Sequence, residues 1–225
     1  MSESLQTLST CALFSGIEPA QYPAVIRCLR AQVRTYQKEE RLFSAGDAPS
    51  FLGVVLRGSV ALLQEDTWGG QVILSVVLAG GVFAESFALS DGGTLPFSAA
   101  ARTDSRILCI PTGELLSPAA LSCPFHTRLI HNLIRILTQE NLRLLQKIRH
   151  LSQKTTRQKV MSYLASQAAI QNSSTFCIPL DRQEMADYLG VERSALSAVL
   201  SQMQREGLIR FAKNRFSLLD RADTP

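Results

Sequence analysis

The segment from residue 181 to residue 207 constrains the fold most strongly. Asp181 followed by Glu184 forms a D-x-x-E capping signal, which predicts that a helix begins just after Asp181. Gly190 then interrupts the apolar spacing, as the tight turn between two helices requires. The helix predicted after this turn carries its apolar side chains on one face: Leu196, Val199, Leu200 and Met203. The segment therefore predicts a helix-turn-helix.

The residues after this motif predict a small two-stranded wing. Gly207 ends the second helix, and "LIRFAKNRFSLL" reads as two short strands with Lys213 and Arg215 near the turn. The other face of the second helix is small and polar, with a cation at its start: Arg193, Ser194, Ser197, Ala198, Ser201 and Gln202. Such a face fits the DNA major groove, where Arg193 can bind guanine through two hydrogen bonds. The alternative is a solvated face that makes protein contacts.

A heptad repeat precedes the helix-turn-helix. Apolar residues recur at alternating spacings of four and three, with one polar member: Ile130, Ile134, Leu137, Asn141, Leu144, Ile148 and Leu151. A single Asn at an a position can bond its symmetry mate and fix the register of a parallel pair. The repeat predicts a dimerisation helix, and the alternative is an ordinary helix packed on its own domain.

The region from Val33 to Ile110 has a different pattern. Short β-rich runs alternate with glycine-containing turns such as "RGS", "WGG" and "AGG". This spacing predicts a small antiparallel barrel or roll. The fold class is therefore α+β, with an antiparallel roll, a long helix and a C-terminal winged helix-turn-helix. We expect domains at residues 1–122, 123–151 and 152–225.

Charge and composition narrow the function. Residues 1–125 hold 8 Lys/Arg against 11 Asp/Glu, whereas residues 126–225 hold 15 against 8. An acidic front half and a basic back half favour a sensor joined to a polyanion binder. We expect a cytoplasmic protein, because the longest uncharged apolar stretch, residues 71–84, is too short to span a bilayer. No nucleophile–base pair, metal-ligand spacing or phosphate loop is present, so the sequence does not support an enzyme.

These motifs together resemble the Crp/Fnr superfamily of bacterial transcription regulators. "FSAGDAPSFLGVVLRGSVALLQ" is similar to its cyclic-nucleotide-binding-type roll, with Gly46, Asp47 and Gly58 at turn positions. The helix containing Asn141 resembles its dimerisation helix, and "RQEMADYLGVERSALSAVLSQMQREGLI" its helix-turn-helix. The resemblance implies a homodimer that senses a signal in the roll and binds a near-palindromic operator in double-stranded DNA. RNA polymerase is a further expected partner.

The resemblance also assigns candidate binding residues. The expected DNA contacts are Arg193, Ser194, Ser197, Gln202, Arg157, Lys159, Lys213 and Arg215. The expected effector contacts are Glu85, Ser86, Phe97, Ser98 and Asn141. Cyclic-nucleotide binders of the family carry an Arg-Ser pair for the phosphate, and this chain has Phe97 before Ser98. Losing that charge-assisted contact costs roughly a hundredfold or more in affinity, so cyclic AMP is not the expected effector.

The nature of the signal stays open from the sequence. The loop serves either a more apolar ligand or the packing of the roll against the long helix. The cofactor is unknown: haem is one option, with His126, His131, Cys109, Cys123 and the methionines as axial-ligand candidates, and no iron–sulfur cluster is expected. The scattered cysteines otherwise read as small buried hydrophobes. An alternative function is a metabolite-binding regulatory module that acts through protein–protein contacts rather than DNA.

Overall fold

A computed structural model describes residues 3–65, 71–88, 93–115 and 124–219. The chain forms two units, the first ending at Thr138 and the second beginning at Gln139. The described residues form eight α-helices, two short 3-10 helices (Ala12–Phe14 and Pro19–Gln21) and eleven strands. None of the helices in these ranges is both long and apolar enough to cross a membrane.

The first unit is built on two four-stranded antiparallel sheets. The strands are β1 (Gln32–Tyr36), β2 (Arg41–Phe43), β3 (Phe51–Arg57), β4 (Ser59–Glu65), β5 (Gln71–Leu78), β6 (Val82–Phe83), β7 (Ser98–Ala101) and β8 (Ser105–Pro111). Their order is β1-β8-β3-β6 in one sheet and β2-β7-β4-β5 in the other. Four short helices accompany them: α1 (Glu3–Thr10), α2 (Tyr22–Cys28), α3 (Glu85–Ala88) and α4 (Thr112–Leu115). The predicted antiparallel roll is confirmed.

Strands β3 and β8 are buried on both faces, which explains their nearly continuous apolar sequences. Side chains of a strand alternate between the two sides of a sheet. Val55 and Ile107 pack into a cluster inside the roll. Val54 and Leu108 pack into a second cluster, together with the N-terminal helices and residues such as Leu129. One hydrophobic core therefore lies inside the roll, and a second core lies between the roll and the helices that pack on it.

Gly58 makes the tight turn between β3 and β4 possible. Its φ is +83°, and a Cβ atom there would lie 2.4 Å from Ser105 Oγ and 2.5 Å from the Asp104 carbonyl oxygen. Ser105 Oγ also accepts a hydrogen bond from the Ser59 backbone N–H at 3.1 Å. Any side chain at Gly58 would displace this buried hydroxyl, so the sequence needs glycine here.

One long helix, α5 (Pro124–Leu151), begins in the first unit and continues into the second. Its first half is anchored: Leu129 and Leu133 are buried, and Asn132 donates hydrogen bonds to the Leu13 and Ser15 carbonyl oxygens, both at 2.8 Å. Residues 139–149 are all exposed. The helix thus changes from a packed element to a solvent-facing one along its length.

The second unit continues with the elements α6 (Thr156–Gln171), β9 (Thr175–Cys177), α7 (Arg182–Leu189), α8 (Arg193–Arg205), β10 (Ile209–Ala212) and β11 (Arg215–Leu218). Asp181 Oδ1 accepts from the Glu184 backbone N–H at 2.8 Å, and the Glu184 carboxylate accepts from Asp181 N–H at 2.7 Å. Gly190 ends α7 in the left-handed region, with φ of +59°. The predicted capping box, turn and wing are confirmed.

The expectation that the cysteines are small buried hydrophobes is half wrong. Cys11 and Cys109 are buried, but Cys28 and Cys177 are exposed. Cys28 follows the buried Val25 by three residues and is the last residue of α2, where it is nevertheless exposed. Cys123 lies outside the described residues.

Candidate nucleic-acid interface and effector loop

Helix α8 is fixed by the core of the second unit. Leu196, Leu200 and Met203 are fully buried and pack with residues of α6, α7 and the small sheet, and Val199 is partly buried against them. Burying this face leaves the opposite face in solvent, where Arg193, Ser194, Ser197 and Gln202 are exposed. The fold therefore leaves exposed the four residues of α8 that the sequence predicted for DNA contact.

Two of these polar side chains already have partners within the chain. Ser197 Oγ donates to the Arg193 carbonyl oxygen at 2.9 Å, so the hydroxyl turns back onto its own helix. Gln202 Nε2 donates to Glu206 Oε1 at 2.8 Å. Arg193 and Ser194 are exposed at the N-terminus of α8. This is the terminus that enters the major groove when a helix-turn-helix binds DNA.

Arg157 and Lys159, the two basic residues predicted for DNA contact at the start of α6, have partners of different kinds. Arg157 Nη2 lies 2.5 Å from Glu206 Oε2, and this hydrogen bond raises the pKa of Arg157 and holds the pKa of Glu206 below its ordinary value. Lys159 Nζ donates to the Leu189 carbonyl oxygen at 3.2 Å and is partly buried. Lys159 therefore caps the C-terminus of α7, a role that sequence spacing did not reveal.

Arg182, at the start of α7, packs against the wing, although no sequence motif marked it as part of the interface. Its guanidinium lies over the rings of Phe211 and Phe216, 4.9 and 5.1 Å from their centroids. Arg182 Nη2 donates to the Lys213 carbonyl oxygen at 2.9 Å. Lys213 has φ of +51° in the turn between β10 and β11 and is exposed. Arg215 is exposed at the start of β11, so both wing cations face solvent.

The effector candidates of the roll lie in two short segments. Glu85 and Ser86 begin α3, and Ser86 is exposed. Ser98 begins β7 and is buried, with Oγ accepting from the Ala45 backbone N–H at 3.1 Å. Asn141, the remaining candidate, is exposed on α5 in the second unit.

Phe97 is half-buried and packs on Phe87, with ring centroids 5.5 Å apart in an edge-to-face arrangement. Both rings pack against the cluster inside the roll. Phe87 lies on α3 beside Ser86, so the ring contact joins α3 to the start of β7. The position before Ser98 is therefore apolar in its packing as well as in its residue type.

The haem-ligand candidates within the described residues are dispersed. His126 is buried, with Nδ1 3.6 Å from Cys28 Sγ and Nε2 3.1 Å from the Glu114 carbonyl oxygen. His131 is exposed on α5. Burial raises the pKa of Cys109 to about 11. No group of three or more His, Cys, Asp or Glu side chains suited to a metal ion occurs among the described residues.

Comparisons with known proteins agree with this architecture. Residues 33–118 match the family described as cyclic nucleotide-binding domain, and residues 158–223 match the Crp-like helix-turn-helix domain. The transcriptional activator FnrL of Cereibacter sphaeroides is 25% identical over 194 residues, covering 81% of this chain and 74% of that protein. The transcriptional regulator LdrP of Thermus thermophilus is 26% identical over 194 residues, covering 84% and 93%.

Among solved structures, the fold is similar to that of the c-di-GMP-responsive global regulator CLP of Xanthomonas campestris. The TM-score is 0.54 at 21% sequence identity, covering 88% of this chain and 99% of the other. Fold, family matches and relatives define a class of protein, in which a roll of the cyclic-nucleotide-binding type is joined to a winged helix-turn-helix.

The chain belongs to the Crp/Fnr superfamily of transcription regulators. It is a DNA-binding transcription regulator of the Crp/Fnr type, and the relatives it matches are transcription regulators rather than enzymes. This finding favours the DNA interpretation of the α8 surface over the alternative of protein contacts. The description 'cyclic nucleotide-binding domain' names the type of domain and does not identify the ligand that this chain binds.

Proposed function

We propose that this regulator acts as a homodimer whose roll senses a ligand other than cyclic AMP and thereby controls operator binding by α8. Residues 1–122 would form the sensing domain, 123–151 the dimerisation helix and 152–225 the DNA-binding domain. A small molecule with an apolar part is the favoured signal, and a haem-borne signal is the second option. RNA polymerase would be the partner through which a bound dimer acts on transcription.

The apolar packing of Phe97 carries the proposal about the signal. A cyclic phosphate needs a charge-assisted contact to replace the water that it loses on binding. Here the residue before Ser98 is Phe97, whose ring packs on Phe87. Ser98 Oγ accepts a hydrogen bond from the Ala45 backbone N–H. A ligand with an aromatic or aliphatic body would gain from contact with these rings, whereas a cyclic nucleotide would lack the cationic partner of its phosphate.

Exposed apolar residues on α5 support the homodimer. Four apolar members of the predicted seam are exposed: Ile134, Leu144, Ile148 and Leu151. Leu142 and Leu145 are exposed beside them. Apolar surface collected on one helix marks an interaction site. A second copy of the same helix fits it because a heptad seam is self-complementary.

The DNA contacts are proposed on the open face of α8 and on the wing. Arg193 would read a guanine, while Ser194, Ser197 and Gln202 would contact bases or phosphates. Lys213 and Arg215 would contact the backbone. Arg157 would also contact phosphate, and Lys159 would act by holding the Leu189 carbonyl at the α7–α8 turn.

Titration calorimetry with cyclic AMP and cyclic GMP tests the proposed signal class. We expect no saturable binding of either nucleotide at concentrations on the order of 100 micromolar. Absorption and mass spectra of the purified protein would then distinguish a bound haem from a retained small molecule. Saturable binding of a cyclic nucleotide would contradict the proposal, and a salt-dependent gel shift of duplex DNA is the control for an intact DNA-binding domain.

A further inference from the structure

Glu206, at the C-terminal end of α8, holds two of the proposed DNA-contact side chains at once. Its Oε2 binds Arg157 Nη2 at 2.5 Å, and its Oε1 accepts from Gln202 Nε2 at 2.8 Å. The carboxylate therefore uses one oxygen for each partner. Arg157 comes from α6, so the ion pair joins the start of that helix to the end of α8.

Glu206 also belongs to the face of α8 that is open to DNA. Residues four apart lie one above the other on a helix. Ser194, Ala198 and Gln202 form such a row on the exposed face, and Glu206 is the next member of the same row. An acidic side chain at this position is unfavourable next to DNA, because a carboxylate and a phosphate repel each other.

We propose that Glu206 competes with DNA phosphate for Arg157 and so lowers the affinity of the domain for DNA of every sequence. The proposal rests on the proposed roles of α8 and Arg157 in DNA binding. A carboxylate and a phosphate present similar pairs of oxygens to the guanidinium fork. A DNA backbone that reaches the end of α8 can therefore take the place of the carboxylate.

Solvent exposure makes this exchange feasible. The Arg157 and Glu206 side chains retain 42% and 36% of their exposure in the pair. Exposed ion pairs contribute little to stability because water and salt screen them. The pair therefore suits a replaceable contact better than a structural clamp. Gln202 would be released together with Arg157, since the same carboxylate binds both.

The first variant is Glu206→Gln, which keeps the size of the side chain and removes its charge. We expect this variant to bind nonspecific duplex DNA roughly three- to tenfold more tightly. Freed Arg157 would neutralise one more phosphate, so the slope of log K against log salt should steepen by about 0.9 per domain. Fluorescence anisotropy at several salt concentrations measures both quantities, and thermal unfolding shows whether the variant is folded.

Arg157→Ala is made both in the wild-type protein and in the Glu206→Gln variant, which completes a double-mutant cycle. Competition predicts that Glu206→Gln tightens binding less than about twofold when Arg157 is absent. An equal gain with and without Arg157 would mean a general charge effect and would overturn the proposal. An unchanged affinity and salt slope in Glu206→Gln would overturn it as well. If the wild-type protein bound no duplex DNA even at low salt, the proposed function itself would fail, and this inference with it.

Discussion

Helix α8 and the second half of α5 both have apolar faces, but only one of these faces is covered by the chain. Leu196 and Leu200 of α8 are 0% exposed. Leu144 and Ile148 of α5 are 51% and 60% exposed. The partner of α8 lies within the same unit, whereas the partner proposed for α5 is a second copy. Substitutions in α8 should therefore change stability, and substitutions in the seam should change assembly.

The largest effect is expected for Leu144→Asp. In the proposed dimer this change places two carboxylates in the apolar seam, at a cost of more than about 4 kcal/mol, or roughly a thousandfold in dimer affinity. In the monomer the free energy of unfolding of the second unit should barely change, because Leu144 is already exposed in the single chain. The apparent midpoint should fall only by the stabilisation that dimerisation gives the wild type. Sedimentation at micromolar concentration should show monomers. A wild-type protein that sediments as a monomer would contradict the proposal that a second copy covers the apolar face of α5.

The next effect is expected for Leu196→Ala in α8. Removing a fully buried Leu side chain leaves a cavity and should lower the free energy of unfolding of the second unit by about 2–4 kcal/mol. Chemical denaturation measures this loss. The sedimentation coefficient should remain that of the wild type. A change of assembly with Leu196→Ala would mean that the two faces are not independent.

Smaller effects are expected on the exposed face of α8. Arg193→Ala should cost about 1–3 kcal/mol of operator affinity and relax specificity at one base pair per half-site. Selection of bound sequences from a random pool measures the change in specificity. Lys213→Ala is the matched control, because a lost phosphate contact weakens all sequences alike and reduces the salt dependence. An unchanged consensus with Arg193→Ala would limit Arg193 to a backbone contact.

Local patterns predicted the elements that local physics determines. The Asp181–Glu184 capping box and the turn at Gly190 depend on residues a few positions apart, and both were predicted correctly. The strands of the roll followed from short apolar runs and glycine turns. The buried face of α8 followed from helical spacing, since one stripe of Leu and Met side chains fits a single core.

Contacts between residues distant in sequence could not be predicted in this way. Asn132 binds the Leu13 and Ser15 carbonyl oxygens across more than a hundred residues. The ion pair between Arg157 and Glu206 depends on how α6 packs against α8. Only the position of Glu206, four residues after Gln202, was available as a signal. Basic residues in a sequence thus indicate candidate DNA contacts but not which of them already have partners.

Oxidative cross-linking of cysteines placed on α5 tests most directly whether a second copy covers the seam. Asn141→Cys occupies the a position, and Gln146→Cys is a matched control that the heptad register places on the opposite side; both positions are exposed in the single chain. The exposed Cys28 and Cys177 are replaced by Ser in both variants. We expect a covalent dimer for Asn141→Cys and little or none for Gln146→Cys. Equal cross-linking at the two positions, or none at residue 141, would contradict it.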